Sequence, residues 1–455
     1  MAKVTALILA AGEGKRMASS LPKVVHNICG RSLVGHVLDA AAAVSDEQIV
    51  VVGYGAEEVR SELGLSVKYV TQAEQRGTGH AVMQAVSLLT QGGTVLVLCG
   101  DTPLLSSAVL DNLLHTHQEK KAAATVLTAL VPNPAGYGRI IRSASGSVQK
   151  IVEDRDAVPD ELRINEINTG TYAFDTSLLL NTLGSLVSNN DQGEYYLTDC
   201  LELLAASGSI VESCLLENYQ DALGVNDRIH LSEAERLMRQ GINEKLMAAG
   251  VTMIDPSATY IDVGVEVGQD TVLFPGTILR GGTRVGRNCR IGPNTEISNC
   301  EVGSNVSIRY SVITESILED GVIVGPFAHL RPGTRLRQNV KIGDFVEIKK
   351  SDIGYGSKVP HLSYIGDAEI GSKVNMGAGT IVVNYDGRSK HTTHIGDGAF
   401  IGCNSNLIAP LHVGKEAFIA AGSTITKDIP EGSLSLARSK QVNKENMGRL
   451  FLNKK

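Results

Sequence analysis

Residues 261–297 have the sequence IDVGVEVGQDTVLFPGTILRGGTRVGRNCRIGPNTEI, in which an aliphatic residue recurs at every sixth position. The members of this series are Ile261, Val267, Leu273, Leu279, Val285, Ile291 and Ile297. The same step returns in two later runs, Leu318 to Ile348 and Ile395 to Ile425. Helices repeat about every 3.6 residues and strands every two, so neither period explains these runs. A β-helix does, because each six-residue unit forms one flat side and directs its aliphatic side chain into a shared core.

Glycine directly follows many of these aliphatic positions. Examples are Val285-Gly286, Ile291-Gly292, Ile342-Gly343, Ile395-Gly396 and Val413-Gly414. Tight corners between flat sides favour glycine, because they require positive φ or close backbone approach. We therefore predict that residues 251–455 form a parallel β-helix of hexapeptide repeats. Its last segment, Arg438 to Lys455, holds six Lys or Arg against the single acid Glu445, and charge alone predicts only a solvated basic tail.

The first half of the chain follows a different pattern, in which short apolar runs alternate with helix-like segments. Val4 to Ala10, Gln48 to Gly53 and Val95 to Cys99 are typical of buried parallel strands. Leu33 to Val44 and Thr78 to Leu89 are typical of helices. This alternation predicts an α/β domain with a Rossmann-like, doubly wound sheet and helices on both faces.

A single helix is predicted between the two patterns, from Asn226 to Ala249, with Gly250 as its stop. Its apolar positions fall near helical spacing, at Ile229, Ala234, Leu237, Met238, Ile242 and Leu246. We therefore predict a first domain over 1–226, a helical linker over 227–250 and a second domain over 251–455.

The composition of the 455-residue chain restricts its class. The chain carries 42 basic and 49 acidic residues, a net charge of −7, without the basic excess of a nucleic-acid binder. It has no apolar stretch of about 18 residues, so no membrane span is expected. The apolar run Val4 to Ala11 could belong to a secretory signal, but charged residues follow at once and favour a first buried strand.

Seven cysteines are scattered along the chain and form no C-x-x-C pair: Cys29, Cys99, Cys200, Cys214, Cys289, Cys300 and Cys403. An odd, scattered set fits a reducing compartment better than a disulfide framework or a zinc site. We therefore expect a cytoplasmic protein.

A glycine turn follows the first predicted strand, in Leu9 to Met17 (LAAGEGKRM), and Lys23 comes shortly after. Exposed amides at the end of a strand suit phosphate binding, and Arg16 and Lys23 would offset a triphosphate charge. A P-loop is excluded because Leu9 and Arg16 stand at two of its required positions, and Met17 replaces the third glycine of a dinucleotide fingerprint. A plain tight turn remains the alternative.

Two further residues have a chemical and a structural interpretation. Asp101 follows the strand Val95 to Cys99, where a carboxylate could hold Mg²⁺ against phosphates or merely cap the next turn. In the second half, the regular repeat is predicted to break between Lys349 and Tyr385, a stretch that contains His361. A histidine there could be solvated, or could accept a proton from an attacking amine.

The chain resembles two groups of enzymes. Leu9 to Met17 with Lys23 matches the L-A-A-G-x-G-x-R-M…P-K signature of sugar-1-phosphate nucleotidyltransferases. From residue 4 to Arg438 the chain more closely resembles the bifunctional bacterial N-acetylglucosamine-1-phosphate uridyltransferase/glucosamine-1-phosphate acetyltransferase family. The segments that carry this resemblance are Gln72 to His80, Gly136 to Ile140, Glu166 to Gly170, Gly224 to Arg228, Leu330 to Gly333 and Phe345 to Lys350. The chain departs from the family at Lys15, Cys99 and Cys403, where the family often has Thr, Tyr or Asn, and Ser, respectively.

For the first domain, the resemblance implies transfer of UMP from UTP to N-acetylglucosamine-1-phosphate with release of pyrophosphate. Arg16 and Lys23 would steady the triphosphate, and Asp101 and Asn226 would hold Mg²⁺. The implied nucleotide-binding residues are Leu9, Ala10, Ala11, Gly12, Gln72, Gly77, Thr78 and Gly100, and those for the N-acetylglucosamine portion are Gly138, Glu153 and Asn168.

For the second domain, the resemblance implies acetylation of glucosamine-1-phosphate by acetyl-CoA, with His361 as proton acceptor. The sugar phosphate would contact Arg331, Lys349, Tyr364 and Asn375. Acetyl-CoA would contact Ala378, Asn384, Tyr385, Cys403, Ala421 and Arg438. The family's β-helix is left-handed and forms homotrimers, with this site between neighbouring subunits. The implied product, UDP-N-acetylglucosamine, is a precursor of peptidoglycan and lipopolysaccharide.

Two rival hypotheses remain at this point. In one, the chain is a single-activity sugar-1-phosphate nucleotidyltransferase with a structural β-helix. In the other, it is an inert trimeric hexapeptide protein with a degenerate nucleotide domain. The polar set around His361 argues against the first, and intact Lys23, Asp101 and Asn226 argue against the second.

Overall fold

The computed structural model describes residues 3–89, 92–144 and 146–452, and the chain divides into two units between Met238 and Arg239. The predicted domain limits at residues 226 and 250 lie on either side of this division. The last three residues of the predicted basic tail, 453–455, lie outside the described residues. No helix in the described ranges is long and apolar enough to cross a membrane.

The first unit is built on one sheet. Its seven main strands lie in the order Val211–Leu215, Ala124–Leu130, Glu166–Asp175, Thr94–Cys99, Val4–Ala10, Glu47–Val52 and Lys68–Thr71. A hairpin of Arg139–Arg142 and Val148–Val152 joins this sheet at Glu166–Asp175. The helices of this unit are Leu33–Ala42, Ala56–Leu63, Thr78–Gln84, Ser107–Glu119, Thr176–Leu183 and Asp199–Ala206.

Both faces of this sheet are buried, as the continuous apolar strands predict. Successive residues of Val4–Ala10 point to opposite faces, so Ile8 enters one core cluster and Leu7 the other, each with 0% exposure. Val4–Ala10 pairs in parallel with Glu47–Val52 on one side and Thr94–Cys99 on the other. The predicted α/β sheet covered on both faces is therefore confirmed.

One feature of this unit was not predicted, and one predicted helix boundary is wrong. The sheet is mixed, because Glu166–Asp175 runs antiparallel to both of its neighbours, and an apolar pattern carries no information on strand direction. The helix predicted over Thr78 to Leu89 ends at Gln84. After Gln84 the backbone changes from α-helical to 3₁₀ geometry. The Ala85 N–H donates to the Val82 carbonyl at 3.0 Å, and Val86–Leu88 forms a 3₁₀ turn.

The predicted connecting helix spans Arg228–Ala248. In its first half, Leu231, Ala234 and Met238 pack in a small apolar cluster of the first unit. In its second half, Ile242 and Leu246 pack against the core of the second unit. Ile229 was predicted on the same apolar face but is 79% exposed. At about 100° per residue it lies about 200° around the helix from Leu231, on the side away from this cluster.

The second unit coils through three parallel sheets, which we call the first, second and third faces. The first face comprises Thr252–Met253, Val272–Leu273, Arg290–Ile291, Ser307–Ile308, Ile323–Val324, Lys341–Asp344, Lys358–His361, Asn375–Met376, Phe400–Ile401, Phe418–Ile419 and Leu434–Ser435. The second comprises Tyr260–Ile261, Thr277–Arg280, Thr295–Ser298, Val312–Thr314, His329–Leu330, Glu347–Lys349, Tyr364–Gly366, Ile381–Val383, Asn406–Ile408 and Thr424–Ile425. The third comprises Glu266–Val267, Arg284–Val285, Glu301–Val302, Ile317–Leu318, Arg335–Leu336, Asp352–Ile353, Ala368–Ile370, Thr393–Ile395 and Leu411–Val413. A short helix, Met447–Leu452, follows.

The six-residue aliphatic series forms the core of this coil, as predicted. On the first face, one inward side chain stacks on the next through Leu273, Ile291, Ile308, Val324, Ile342 and Val359, each at most 1% exposed. The parallel β-helix is therefore confirmed.

The interruption predicted between Lys349 and Tyr385 has a different form. The strands continue through this stretch, and the period shifts because some sides are one residue shorter, as from Ile348 to Ile353. The chain departs from the regular coil only after Val383, where residues 384–392 form a loop before the strand Thr393–Ile395.

Close approach between coils explains most glycines of the repeat. A β-carbon on Gly343 would lie 1.8 Å from the Pro360 carbonyl oxygen, although the φ of Gly343 is not in the left-handed region. Positive φ occurs at other glycines, such as Gly292, and also at asparagines and larger residues, among them Asn294, Phe327 and Phe345.

The inward aliphatic positions should dominate the stability of the β-helix. Leu279 is fully buried, so Leu279→Ala should lower the free energy of unfolding by about 2–5 kcal/mol. Arg280, the next residue on the same strand, is exposed and pairs with Glu296 at 3.1 Å, so Arg280→Ala should cost at most about 1 kcal/mol. Denaturant unfolding followed by circular dichroism measures both, and equal losses would contradict the inward assignment.

Candidate functional site

A cavity of about 250 Å³ lies at the carboxyl ends of the strands Val4–Ala10 and Thr94–Cys99. Nine residues predicted from the sequence line it: Leu9, Ala10, Ala11, Gly12, Lys23, Gln72, Gly77, Thr78 and Asp101. Gly100, which was also predicted, stands in the chain between the lining residues Cys99 and Asp101, and its N–H donates to the Leu9 carbonyl at 2.9 Å. Gln75 and Glu194 also line this cavity, although neither was predicted as a site residue.

The wall that holds Gln72 requires a glycine. Gly77 has φ of 100°, and a β-carbon there would lie 2.6 Å from the Tyr195 carbonyl oxygen. The buried Gln72 amide donates from Nε2 to the Gly77 carbonyl at 3.1 Å and contacts His80 Nδ1 at the same distance. These contacts fix the orientation of the Gln72 amide, so its carbonyl oxygen has a defined direction.

Four polar side chains from three segments converge at the mouth of this cavity. Lys23 Nζ forms an ion pair with Asp101 Oδ2 and also donates to Asn226 Oδ1 at 3.2 Å. Arg16 Nη2 donates to the same Asn226 oxygen at 3.1 Å. The Lys23 and Asp101 side chains are only 13% and 21% exposed, so their charges interact with little screening by water.

The oxygens of Asp101 and Asn226 fit a magnesium ion, because they are hard ligands that already face a common cation, the Lys23 ammonium. In the described ranges, no three His, Cys, Asp or Glu side chains are grouped to hold a metal by themselves. One carboxylate and one amide suit Mg²⁺, which usually keeps waters and substrate phosphates among its ligands.

The residues predicted for the sugar lie together beside this cavity. A β-carbon on Gly138 would be 3.4 Å from Glu153 Oε2 and 3.5 Å from the Asn168 β-carbon. The Asn168 amide donates to the Tyr172 hydroxyl at 2.7 Å, and the Thr198 hydroxyl donates to Glu153 at 3.4 Å. Burial raises the pKa of the Glu153 carboxyl.

Cys99 links the two groups of residues. Its thiol donates to the Gly170 carbonyl at 3.4 Å. Burial, together with the negative charges of Asp101 and Glu153, raises the pKa of this thiol to about 12 against the opposing effect of the Lys23 ammonium. This cavity and the residues predicted for the sugar therefore adjoin within the first unit.

In the second unit, His361 ends a strand of the first face, and its Nδ1 hydrogen-bonds to Asp344. Asn375 follows one coil later on the same face. Tyr364 begins the adjacent strand of the second face, and its hydroxyl lies beside Gly366, close to the Asn384 amide. The Asn384 amide in turn donates to Asp367.

Three cations gather next to these side chains. The Lys390 ammonium lowers the pKa of Lys349, and the Arg331 charge adds to this effect. Arg331 also pairs with Glu347 at 2.8 Å. Such a cluster is suited to a phosphate group, which would neutralise the mutual repulsion.

Ala378, Cys403, Ala421 and Arg438 form a column along the edge between the first and second faces. The Asn404 N–H donates to the Ala378 carbonyl at 2.7 Å, and the Gly422 N–H donates to the Cys403 carbonyl at 2.8 Å. The Arg438 guanidinium caps the column by donating to the Ala421 carbonyl at 2.8 Å. Tyr385, in the loop after Val383, is 56% exposed.

Asp344 and Lys390 were not predicted from the sequence. Asp344 lies 17 residues before His361, one coil earlier, so an alignment of successive coils could have indicated it. Lys390 lies in the loop Asn384 to Thr392, outside the repeat, where periodicity gives no signal.

Comparisons with known families match both units. The model of a MobA-like NTP transferase domain matches residues 6–156. The model of the bacterial transferase hexapeptide, with six repeats, matches residues 264–299 and 392–427. Together with the sites above, these matches define a nucleotidyltransferase joined to a hexapeptide-repeat transferase.

Relatives of nearly equal length carry one name. The chain is 53% identical to the Bifunctional protein GlmU of Geobacillus sp. (strain WCH70), over 98% of each chain. It is 52% identical to that of Shouchella clausii (strain KSM-K16), over 97% of this chain and 98% of the relative. It is 51% identical to that of Listeria monocytogenes serotype 4a (strain HCC23), over 98% of each.

The chain therefore belongs to the GlmU family of bifunctional proteins. The predicted combination of uridyltransferase and acetyltransferase activities in one enzyme is confirmed, and both rival hypotheses are wrong. Nucleotides and sugar phosphates are its class of substrate.

The seven cysteines should differ sharply in reactivity, since the thiolate is the reactive form. Cys403 is exposed, whereas burial raises the pKa of Cys99 and Cys200 to about 12 and that of Cys300 to about 11. Iodoacetamide at pH 7.5 should therefore modify Cys403 first, as read by peptide mass spectrometry, and Cys403→Ser should abolish the rapid phase. Rapid modification of Cys99 in the folded protein would contradict this geometry.

Proposed function

We propose that this chain makes UDP-N-acetylglucosamine in two steps at separate sites. The second unit transfers the acetyl group of acetyl-CoA to the amine of glucosamine-1-phosphate. The first unit then joins the N-acetylglucosamine-1-phosphate to UMP from UTP and releases pyrophosphate. The observation that carries the proposal is the presence of two distinct polar constellations, Lys23–Asp101–Asn226 in one unit and His361 with its cationic cluster in the other.

In the uridylyl step, positioning and charge neutralisation perform the catalysis, and no covalent enzyme intermediate is formed. The backbone of residues 9–12 lies along the UTP. The Gln72 amide, whose orientation is fixed, recognises the uracil together with Gly77 and Thr78. Gly138, Glu153 and Asn168 bind the N-acetylglucosamine portion and direct its phosphate toward the α-phosphorus. Arg16 and Lys23 steady the triphosphate.

Asp101 and Asn226 hold Mg²⁺ in this proposal. The bound ion would add positive charge to offset the developing negative charge of the phosphates. In this arrangement Lys23 shares the Asp101 carboxylate and stays directed at the same group of phosphate oxygens.

In the acetyl step, Arg331 and Lys349, together with Lys390, bind the phosphate of glucosamine-1-phosphate. Tyr364 and Asn375 orient the sugar so that its amine faces His361. The imidazole accepts the amine proton as nitrogen attacks the acetyl carbon.

Acetyl-CoA lies along the edge column Ala378, Cys403, Ala421 and Arg438 in this proposal, with Asn384 and Tyr385 beside the acetyl group. A thiol is a weaker hydrogen-bonding group than the Ser hydroxyl common in the family, so Cys403 contributes mainly by packing against acetyl-CoA.

We also propose that the β-helix forms a homotrimer in the cytoplasm. An exposed aromatic column, Tyr310, Phe327 and Phe345, follows one corner, with ring centroids 5.7 and 5.3 Å apart. Exposed apolar patches of this kind favour an interface between subunits. In the part of the chain that the structure describes, Cys99, Cys200, Cys214, Cys289, Cys300 and Cys403 are free thiols, which fits a reducing compartment.

Separate sites predict separate losses. His361→Ala should lower acetyl transfer by about 10²–10⁴-fold, as expected for loss of a general base, and leave uridylyl transfer near the wild-type rate. Asp101→Ala should give the reverse pattern. Release of free CoA thiol and of pyrophosphate measures the two activities, and Glu369→Gln, which removes a carboxylate from the third face, serves as the matched control. Equal loss of both activities in either variant would contradict the assignment.

A further inference from the structure

The imidazole of His361 has a carboxylate partner on the neighbouring coil. Its Nδ1 hydrogen-bonds to Asp344 Oδ1, 17 residues earlier in the chain. The two residues are paired in register at the ends of the strands Lys341–Asp344 and Lys358–His361. Backbone contacts fix this register, since the Leu362 N–H donates to the Asp344 carbonyl at 3.0 Å. The contact therefore follows from the coil itself.

The charge state of Asp344 defines the tautomer of His361. The hydrogen bond from His361 lowers the pKa of Asp344, so this carboxyl is ionised at neutral pH. An ionised carboxylate can only accept hydrogen bonds, so the proton of a neutral imidazole lies on Nδ1. The lone pair is then on Nε2, the ring nitrogen that points away from Asp344.

The remaining titratable side chains on the strands around His361 are Lys341, Lys358, Glu347, Lys349 and Tyr364. In the ranges that the structure describes, none of them hydrogen-bonds to the imidazole, and Glu347 is engaged with Arg331 at 2.8 Å. Asp344 is thus the carboxylate in direct contact with His361.

We propose that Asp344 is a positioning residue for acetyl transfer, which holds His361 in the tautomer whose Nε2 accepts the amine proton and stabilises the imidazolium that forms. This inference rests on the proposed role of His361. In the step, the amine nitrogen forms a bond to the acetyl carbon as one N–H bond breaks and its proton passes to Nε2. The C–S bond of the thioester then breaks, and the CoA thiolate that leaves takes the proton from the imidazolium.

Asp344→Asn tests this role. An amide can donate to Nδ1 and stabilise the wrong tautomer, so kcat for acetyl transfer should fall by about 10–100-fold. The KM for glucosamine-1-phosphate should change little, because Arg331, Lys349 and Tyr364 are untouched. The acidic limb of the pH–rate profile should move to lower pH, because the imidazolium loses its negatively charged partner. Uridylyl transfer should stay at the wild-type rate.

Two matched variants sharpen the test. Asp344→Glu keeps the carboxylate and should retain more kcat than Asp344→Asn. Glu369→Gln removes a carboxylate 3.1 Å from the imidazole of His394 on the third face and should leave kcat and the pH profile unchanged.

Two results would overturn the inference, and they are distinguishable. Wild-type kcat and pH profile in Asp344→Asn, beside an inactive His361→Ala, would remove the role of Asp344 alone. Full acetyl transfer by His361→Ala would remove the proposed base and the inference with it.

Discussion

Each flat side of the coil directs one aliphatic side chain into a shared core, and the geometry of the second unit depends on this constraint. The inward residues of successive coils stack directly on one another, as in the fully buried pair Leu330 and Ile348. Because the inward positions are occupied without gaps, the outward residues also come into register from coil to coil. His361 therefore lies next to Asp344 of the preceding coil, and the column from Ala378 to Arg438 follows one edge of the β-helix.

The first unit obtains its site from a different constraint. Parallel strands end together, so the glycine turn after Val4–Ala10 and Asp101 after Thr94–Cys99 meet at one edge of the sheet. Lys23, which lies between these two elements in the sequence, contacts both Asp101 and Asn226. Charge is concentrated here although the whole chain is acidic, which agrees with small anionic substrates rather than an extended polyanion.

Much of this architecture could be predicted because it follows from local patterns. The apolar run of the first strand has the same limits in the sequence and in the structure, Val4–Ala10, because both faces of that strand are buried. The repeat likewise predicted the inward residues, since a period of six belongs to neither helix nor strand. Nine of the predicted site residues line one cavity. Their roles were implied by the family resemblance, because the residue types alone fit both a binding and a structural interpretation.

The features that were not predicted, or were predicted wrongly, depend on contacts between segments that are distant in the sequence. The antiparallel direction of Glu166–Asp175 depends on its neighbours in the sheet, and no residue within the strand encodes it. Ile229 has helical spacing but no partner to cover it. Lys390 approaches Lys349 only because a loop folds back on the coil, and Asp344 contacts His361 only through the register of adjacent coils. Residues that join a site through contacts between distant segments are thus harder to predict from the sequence than residues that belong to a local motif.

The most direct measurement uses the purified chain with glucosamine-1-phosphate, acetyl-CoA, UTP and Mg²⁺, each omitted in turn, with products separated by chromatography. We expect UDP-N-acetylglucosamine and pyrophosphate only from the complete mixture, whereas free CoA should form whenever acetyl-CoA and glucosamine-1-phosphate are both present. We also expect that N-acetylglucosamine-1-phosphate replaces the first two components. Failure to consume acetyl-CoA in the presence of glucosamine-1-phosphate would contradict the account of two transferase sites on one chain.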